Sequence, residues 1–206
     1  MTSKIIRAPY IDQTEKWPTG CESVSTVMLL QYLGYDISVD DFIKKYLIKD
    51  SFEIRRGYLY GPDPYEMFCG SPYDKDSYGC YAPVIVNALN SFFDSIPSCP
   101  YCAEDATDMP MGILLETYIE NDIPVIFWSS LDCLPTIIGP DWRLKSSGET
   151  FTWISNEHCM LLVGYDDENY YFNDPWKNHG TIGYAKSLIE QRHREQHSMA
   201  VVITSE

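Results

Sequence analysis

The sequence predicts an α+β fold in which helices come first and an antiparallel sheet follows. Apolar residues recur with the helical period of about 3.6 in four segments of the chain before residue 121. After that point the period changes to two, and short runs of β-branched and aromatic residues alternate with turn residues. Helices followed by strands in this order are typical of α+β proteins.

Length and composition favour one folded domain. The chain has 206 residues, of which 45% are hydrophobic and 14% aromatic, so it can bury one substantial core. Thirty acidic and 15 basic residues give a net charge of -15, which repels nucleic acid and anionic membranes. Neither is expected to be a partner.

No targeting or membrane segment is evident from the sequence. No apolar run reaches the roughly 18 residues of a spanning helix, and the N terminus lacks the hydrophobic stretch of a signal peptide. We therefore predict a cytoplasmic protein as encoded here. A secreted or cell-envelope location would require an export signal that has been trimmed.

The first half of the chain predicts four helices and two loops. The first helix starts at Cys21 and ends near the glycine at position 34. Its apolar residues lie on one face, which is expected to be buried. The segment 49–79 is rich in glycine, proline and tyrosine and predicts a packed functional loop, and 94–107 predicts a second loop. The remaining predicted helices are 38–47, 81–93 and 108–119.

The second half predicts a sheet and one late helix, with residues 5–13 as an edge strand or an extended lead-in. The late helix is expected at 184–193. The predicted strands are 123–128, 142–145, 150–154, 158–165, 170–173 and 199–203.

A cysteine at the start of the first helix is the strongest chemical signal. Thr19 and Glu22 have the spacing of a capping box, in which each side chain satisfies a backbone N–H group at the helix start. Cys21 then lies in the first turn, where the helix dipole favours the nucleophilic thiolate. The alternative is a buried structural cysteine. Seven cysteines are an odd number, so at least one stays unpaired within the chain.

The second half can supply a base and an orienting group for that thiol. His158 opens one predicted strand, and Asp174 ends the strand that returns after the turn at 166–169. Regular pairing places Asp174 opposite Leu161, so a bulge or a longer turn is needed to bring it to His158. His158 would then act as the general base for Cys21, with Asp174 holding its tautomer.

Other polar and aromatic residues are candidates for the rest of the site. The side-chain amide of Gln13 and the backbone N–H of Cys21 could donate to an oxyanion. The predicted substrate-binding residues are Trp128, Trp153 and Gly20, and the aromatic residues that could line the cleft also include Tyr60, Tyr78 and Trp176. The remaining histidines lie in a turn or a charged helix end and are interpreted as solvated: His179, His193 and His197.

Several stretches carry a resemblance that spans most of the chain. They are YIDQTEKWPTGCESVSTVMLLQYLGYDISVDDFI, GPDPYEMFCG, SYGCYAPVIVNAL, IPVIFWSS, TFTWISNEHCMLLVGYDDENYYFNDP and the closing AVVI. In these stretches the chain resembles the papain-like cysteine peptidases, specifically the stand-alone bacterial relatives of the domains that cleave double-glycine leaders from bacteriocin precursors.

The resemblance implies a peptidase that needs no cofactor or metal and acts on a peptide or protein substrate. It implies a helical lobe (about 14–121) with the nucleophile and a sheet lobe (about 122–206 with 1–13) with the base, and a cleft between them. The matching positions are Cys21 as nucleophile, His158 as base, Asp174 as orienting residue and Gln13 as oxyanion donor.

This chain departs from the family pattern at two positions near the thiol. Gln13 lies eight residues before Cys21, where papain-like enzymes generally place the glutamine about six residues before the nucleophile. Glu22 follows Cys21 where many relatives carry glycine. A carboxylate there opposes thiolate formation if it does not cap the helix.

Three alternatives stay open. Cys80 is a rival nucleophile, because Gly79 and Cys80 also stand at a predicted helix start with Ser77 as a potential cap. Cys99 and Cys102 have the spacing of a dithiol redox motif, and with Cys69 and Cys80 they could bind structural zinc. The chain could also be a catalytically silent relative that binds peptides.

Overall fold

Helices pack against one large antiparallel sheet in the structure, a computed structural model that describes residues 3–205. The helices are α1 (Cys21–Tyr32), α2 (Val39–Lys45), α3 (Ala82–Asp94), α4 (Met111–Thr117) and α5 (Lys186–Glu195). Short 3₁₀ turns occupy Ile119–Asn121 and Leu131–Cys133. None of the helices within the described range is long and apolar enough to cross a membrane.

Most strands belong to the second half of the chain. They are β1 (Lys4–Ile5), β2 (Lys49–Asp50), β3 (Glu53–Arg55), β4 (Tyr58–Gly61), β5 (Phe68–Cys69), β6 (Tyr101–Asp105), β7 (Val125–Ser130), β8 (Ile137–Leu144), β9 (Thr150–Ser155), β10 (Glu157–Tyr165), β11 (Asn169–Asp174), β12 (Gly180–Ala185) and β13 (Ala200–Ser205). The predicted α+β class, with a helical part on an antiparallel sheet, is confirmed.

The large sheet has the strand order β12-β11-β10-β7-β13-β6, and β1 pairs with the end of β10. Two of its strands were missing from the prediction. β6 lies inside the predicted loop 94–107, and β12 precedes the late helix, which begins at Lys186 rather than at Tyr184. β6 has a single buried residue, Ala103, and is ordered by pairing with β13 about 100 residues later, which no local pattern reveals.

The segment 49–79 is not one loop. It contains β2 to β5, and β4 pairs in parallel with β8 in a second sheet of order β3-β4-β8-β9. The packing predicted for its aromatic residues holds only in part. The ring of Tyr78 lies 5.1 Å from that of Trp142 and 5.8 Å from that of Trp153, whereas Tyr58, Tyr65 and Tyr73 are exposed. The rings of Tyr78 and Trp153 also line the cleft described below.

α1 is buried on all sides, whereas its sequence predicted one buried face. Residues Cys21 to Leu30 are all buried, including three small polar residues. Two of them have hydrogen-bond partners, because the Ser25 hydroxyl donates to the Cys159 carbonyl at 3.2 Å and the Thr26 hydroxyl to the Glu22 carbonyl at 2.7 Å. Satisfied hydroxyl groups can be buried at little cost. α1 therefore packs against β10 as well as α2 and α3.

The β10–β11 hairpin contains the bulge that the site requires. Tyr165 pairs with Tyr170, but the register then shifts between Leu162 and Gly164, so that Leu161 pairs with Asn173. The extra residue in β10 moves Asp174 one position closer to His158 than regular pairing would allow.

Candidate active site

A cleft of about 290 Å³ brings the start of α1 together with the start of β10. Cys21 and His158 both line it. Its other lining residues are Gln13, Pro18, Thr19, Ser77, Tyr78, Leu131, Trp153, Ser155, Asn156, Glu157 and Trp176. A larger cavity of about 510 Å³ is lined by residues from 11–17 and by Lys177 and Asn178, and none of its lining residues is a cysteine or a histidine. The first cleft is therefore the one that holds groups suited to nucleophilic chemistry.

The predicted capping box at the start of α1 is wrong. Gly20 occupies the N-cap position and no side chain bonds there. The Thr19 hydroxyl instead donates to the carbonyls of Ser71 at 3.2 Å and Asp74 at 3.0 Å. The Glu22 carboxylate turns away from its own helix and accepts the N–H of Cys80 at 2.6 Å. Thr19 and Glu22 therefore bond to backbone groups of the segment 71–80 and not to the start of α1.

His158 and Asp174 form a buried pair in the cleft wall. Nε2 of His158 lies 2.7 Å from Oδ1 of Asp174, and both side chains are 1% exposed. Burial acts to raise the pKa of the Asp174 carboxyl. The charge of His158 and the hydrogen bonds from His158, His179 and Tyr184 outweigh burial and lower this pKa below its usual range. Asp174 is therefore ionised and accepts the proton on Nε2, so in the neutral form of His158 it is Nδ1 that acts as the acceptor.

Asp174 has further partners that the sequence did not indicate. Its Oδ1 accepts the N–H of Trp176 at 3.0 Å, and its Oδ2 accepts Nδ1–H of His179 at 3.0 Å and the hydroxyl of Tyr184 at 2.7 Å. The interpretation of His179 as solvated is therefore wrong. Both His179 and Tyr184 follow Asp174 on the turn and strand β12, so their proximity depended on the strand that the pattern missed.

The structure also contradicts the solvated position that the sequence predicts for His193. Its ring stacks on Phe127 with 3.9 Å between centroids, and its Nδ1–H donates to the Trp128 carbonyl at 2.8 Å. Burial lowers the pKa of His193 to about 4. His197, by contrast, is exposed.

Gln13 lies in the cleft near the start of α1. Its backbone N–H donates to the Pro175 carbonyl at 2.9 Å, and its Nε2 donates to the Pro18 carbonyl at 3.2 Å. The side chain is 2% exposed, and its Oε1 has no hydrogen-bond partner. The two backbone contacts place the amide between the segment after β11 and the segment before Cys21, and one N–H of Nε2 is left for a further acceptor.

The Cys21 thiol contacts an acidic side chain. Sγ donates to Oε2 of Glu22 at 3.4 Å, and no hydrogen bond within residues 3–205 joins it to His158. Burial raises the pKa of the Cys21 thiol, and the charges of Glu22 and Glu157 raise it further. Burial also raises the pKa of Glu22, to about 7, against the hydrogen bond from Cys80. The helix start by itself therefore does not produce a thiolate.

The predicted substrate-binding residues differ in their positions. Trp153 lines the cleft together with Tyr78 and Trp176. Trp128 lies in the core instead: it is fully buried, is not among the cleft-lining residues, and its indole N–H donates to the Cys80 carbonyl at 3.2 Å. Cys159, which pairs with Trp128 from β10, is buried as well. A substrate therefore cannot reach Trp128, and the prediction that Trp128 binds substrate is wrong. Gly20 is buried next to Cys21, and a Cβ there would lie 2.9 Å from that of Trp17.

Cys80 does not replace Cys21 in the cleft, and Cys99 and Cys102 are both free thiols. Cys80 is buried, lies outside the cleft lining and precedes α3, which begins at Ala82; Ser77 accepts the N–H of Ser71 instead of capping that helix. Cys102 is exposed on β6, and Cys99 contacts the Tyr35 hydroxyl at 3.2 Å. All seven cysteines are free.

One group of potential metal ligands exists among the described residues. Donor atoms of Cys21, Glu22 and Glu157 all lie within 4.8 Å of one another, and no other group of three meets this criterion in that part of the chain. The zinc site of Cys69, Cys80, Cys99 and Cys102 is therefore not formed. Because the remaining group includes the thiol that lines the cleft, we assign it no metal.

Comparison with known proteins gives the family. The model of the Peptidase_C39 like family matches residues 5–201. The chain belongs to this family. A putative C39-like peptidase from Bacillus anthracis has the same fold, with a TM-score of 0.83 and 24% identity over 98% of both chains. A double glycine motif protease from an AMS/PCAT transporter, solved with its leader peptide, matches 98% of this chain and 95% of its own at a TM-score of 0.52 and 13% identity.

The chain is also similar to a curated protein of Bacillus subtilis. The uncharacterized protein YvpB of Bacillus subtilis is 26% identical over 190 residues, which cover 89% of this chain and 68% of YvpB. Membership of the family confirms the resemblance inferred from the sequence stretches, and it makes this chain a peptidase-like protein.

Proposed function

We propose that the protein is a cysteine peptidase or amidase that cleaves a peptide bond through a thioester at Cys21. One observation carries this proposal. Cys21, at the start of a buried helix, lines the same cleft as His158. Nε2 of His158 donates to the ionised carboxylate of Asp174. This is the arrangement that a nucleophile, a base and an orienting group require.

In the proposed reaction, Nδ1 of His158 takes the proton from Sγ of Cys21. The thiolate then attacks the carbonyl carbon of the substrate, and the carbonyl π electrons move to the oxygen. The Cys21 N–H, which has no acceptor within its own helix, and the second N–H of Gln13 Nε2 are the donors that would bind this oxyanion. Collapse of the intermediate breaks the C–N bond, and His158 protonates the leaving amine. Water then hydrolyses the thioester by the reverse use of the same base.

The substrate would be a peptide that lies along the cleft. Tyr78, Trp153 and Trp176 offer aromatic contacts beside Cys21 and His158. A related double glycine motif protease has been solved with a leader peptide. The substrates that we propose for this chain are peptides or proteins.

The test is modification of Cys21 by a thiol-directed peptidase inhibitor, followed by mass spectrometry of each cysteine. We expect one equivalent of label at Cys21, none in Cys21→Ala, and a rate at least tenfold lower in His158→Ala. Cys102 is exposed on β6, so its alkylation by iodoacetamide in each variant is an internal control for reagent and fold. Equal labelling of all accessible thiols, or no effect of His158→Ala, would contradict the proposal.

One observation favours the alternative of a catalytically silent peptide-binding relative. The Cys21 thiol is hydrogen bonded to Glu22 and not to His158. If this orientation were permanent, the protein would bind peptides in the cleft without reacting. Peptide binding with no labelling of Cys21 would support that function instead.

A further inference from the structure

The orientation of the Cys21 thiol is specific and has an identifiable cause. Sγ donates to Oε2 of Glu22 at 3.4 Å. The described residues provide no hydrogen bond to Nδ1 of His158, although both side chains line the same cleft. The group that would accept the thiol proton is therefore present but is not the one that the thiol contacts.

Glu22 is held in this position from outside its own helix. Its Oε1 accepts the N–H of Cys80 at 2.6 Å, and the side chain is 0% exposed. Gly79 leaves the space that the carboxylate needs, because a Cβ at that position would lie 2.5 Å from Oε1. With Oε1 fixed by the segment before α3, the second oxygen is directed at Sγ.

A second carboxyl group lies beside the first. Glu157 precedes His158 on β10, and its oxygen lies within 4.8 Å of both Sγ and the Glu22 carboxylate. Its Oε1 is buried and has no hydrogen-bond partner. No salt bridge in the described part of the chain neutralises Glu22 or Glu157. Two acidic side chains thus face the thiol without a lysine or arginine partner.

We propose that Glu22 is a positioning residue that holds the Cys21 thiol in a protonated resting orientation, and that the thiol must leave Glu22 before His158 can take its proton. The inference rests on the proposed function, since it concerns the same nucleophile. In the step itself, Sγ rotates about the Cα–Cβ bond, its proton moves to Nδ1 of His158, and a thiolate and an imidazolium result. Glu22 gains and loses no proton in this step.

The electrostatics agree with this geometry. An ionised Glu22 accepts the thiol proton in a hydrogen bond and opposes a negative charge on sulfur, and Glu157 opposes it as well. The pKa of Glu157 is raised by its burial and by the charge of Glu22. The titratable groups that face Cys21 and Glu22 from the surrounding elements are Glu157, His158 and Cys159 on β10, Cys80 before α3 and Cys69 on β5.

The experiment compares pH profiles of Cys21 alkylation by iodoacetamide in the full chain, with Cys102 as the reference thiol. Glu22→Gln keeps an acceptor for the Cys80 N–H but removes the charge. We expect the midpoint of the Cys21 profile to move down by about one pH unit or more, and the rate at pH 8, where Glu22 is mostly ionised, to rise about tenfold. Glu168→Gln makes the same charge change at an exposed turn and should leave the profile unchanged.

Glu157→Gln provides an independent variant. It removes the second carboxylate without breaking a hydrogen bond, and we expect a smaller shift in the same direction. If Glu22→Gln does not fold, as judged by near-ultraviolet circular dichroism, the result for Glu157→Gln decides. A midpoint that stays in place or rises in the folded variants overturns the positioning role. Absence of any selective reaction at Cys21 in the wild-type protein would instead contradict the proposed function.

Discussion

Asp174 accepts hydrogen bonds from four donors, two on each carboxylate oxygen. This full complement explains how a buried carboxyl group keeps a pKa below its usual range, because each donor favours the ionised form. It also orients His158, since Oδ1 cannot rotate without losing the Trp176 N–H. The side chain therefore has both a structural and a proposed catalytic role.

Asp174→Asn is expected to be harmful, although it keeps the size and shape of the side chain. An amide NH₂ would face either the pair of donors His158 and Trp176 or the pair His179 and Tyr184. An unmatched buried donor costs about 1–3 kcal/mol. We expect a loss of at least that size in the free energy of unfolding, measured by urea denaturation, together with slower labelling of Cys21.

Tyr184→Phe is the matched companion of that variant, because it removes one donor to Oδ2. Part of the stability lost in Asp174→Asn should return in the double variant with Tyr184→Phe. A strictly additive effect of the two substitutions would show that the clash with Tyr184 is not the cause.

At the scale of elements, α1 and α5 pack against the large sheet in different ways. α1 is buried all round and presents its first turn to the cleft beside β10. α5 packs on β7 through His193, whose ring lies flat on Phe127. A neutral imidazole fits this site because Nδ1–H has the Trp128 carbonyl as its acceptor, whereas Nε2 is buried without a partner.

His193 is predicted to make the fold less stable in acid. Its folded pKa of about 4 lies below the ordinary value of 6.5, so the unfolded chain binds a proton that the folded chain does not. Stability should fall as the pH drops from about 6.5 to about 4, by about 3 kcal/mol from this group. Urea denaturation at pH 7 and pH 4.5 should show a smaller drop in His193→Gln than in the wild type. Equal drops would exclude His193 as the source.

At the scale of the whole molecule, a strongly acidic chain surrounds a cleft whose lining includes the carboxyl group of Glu157. The net charge is -15, and no lysine or arginine is among the cleft-lining residues in the described range. Such a charge distribution steers cationic ligands and repels anionic ones over about one Debye length.

We therefore expect the rate of cleavage of a basic peptide to depend on salt. For two peptides that differ by lysine and glutamine away from the scissile bond, the advantage of the lysine peptide in kcat/KM should fall roughly three- to tenfold between 0.02 and 0.5 M NaCl. Progress curves with both peptides at each salt concentration measure this ratio. A ratio that does not change with salt would show that the acidic surface does not steer substrates.

Much of this site could be predicted from local signals in the sequence. The apolar run after Cys21 and the alternating strands around 158–174 place a thiol at a helix start and an imidazole and a carboxylate on one hairpin. The bulge that brings Asp174 to His158 was anticipated from the pairing count and is present. These features depend on period, spacing and turn residues, which a sequence contains directly.

Only the tertiary structure decided the contacts between segments that lie far apart in the chain. The carboxylate of Glu22 binds the N–H of Cys80, 58 residues away, instead of capping its own helix, and its second oxygen holds the Cys21 thiol. Trp128 is fully buried, and strand β12 brings Tyr184 to Asp174. A sequence states which hydrogen-bonding groups exist, but packing selects the partner of each buried group from several that are chemically equivalent.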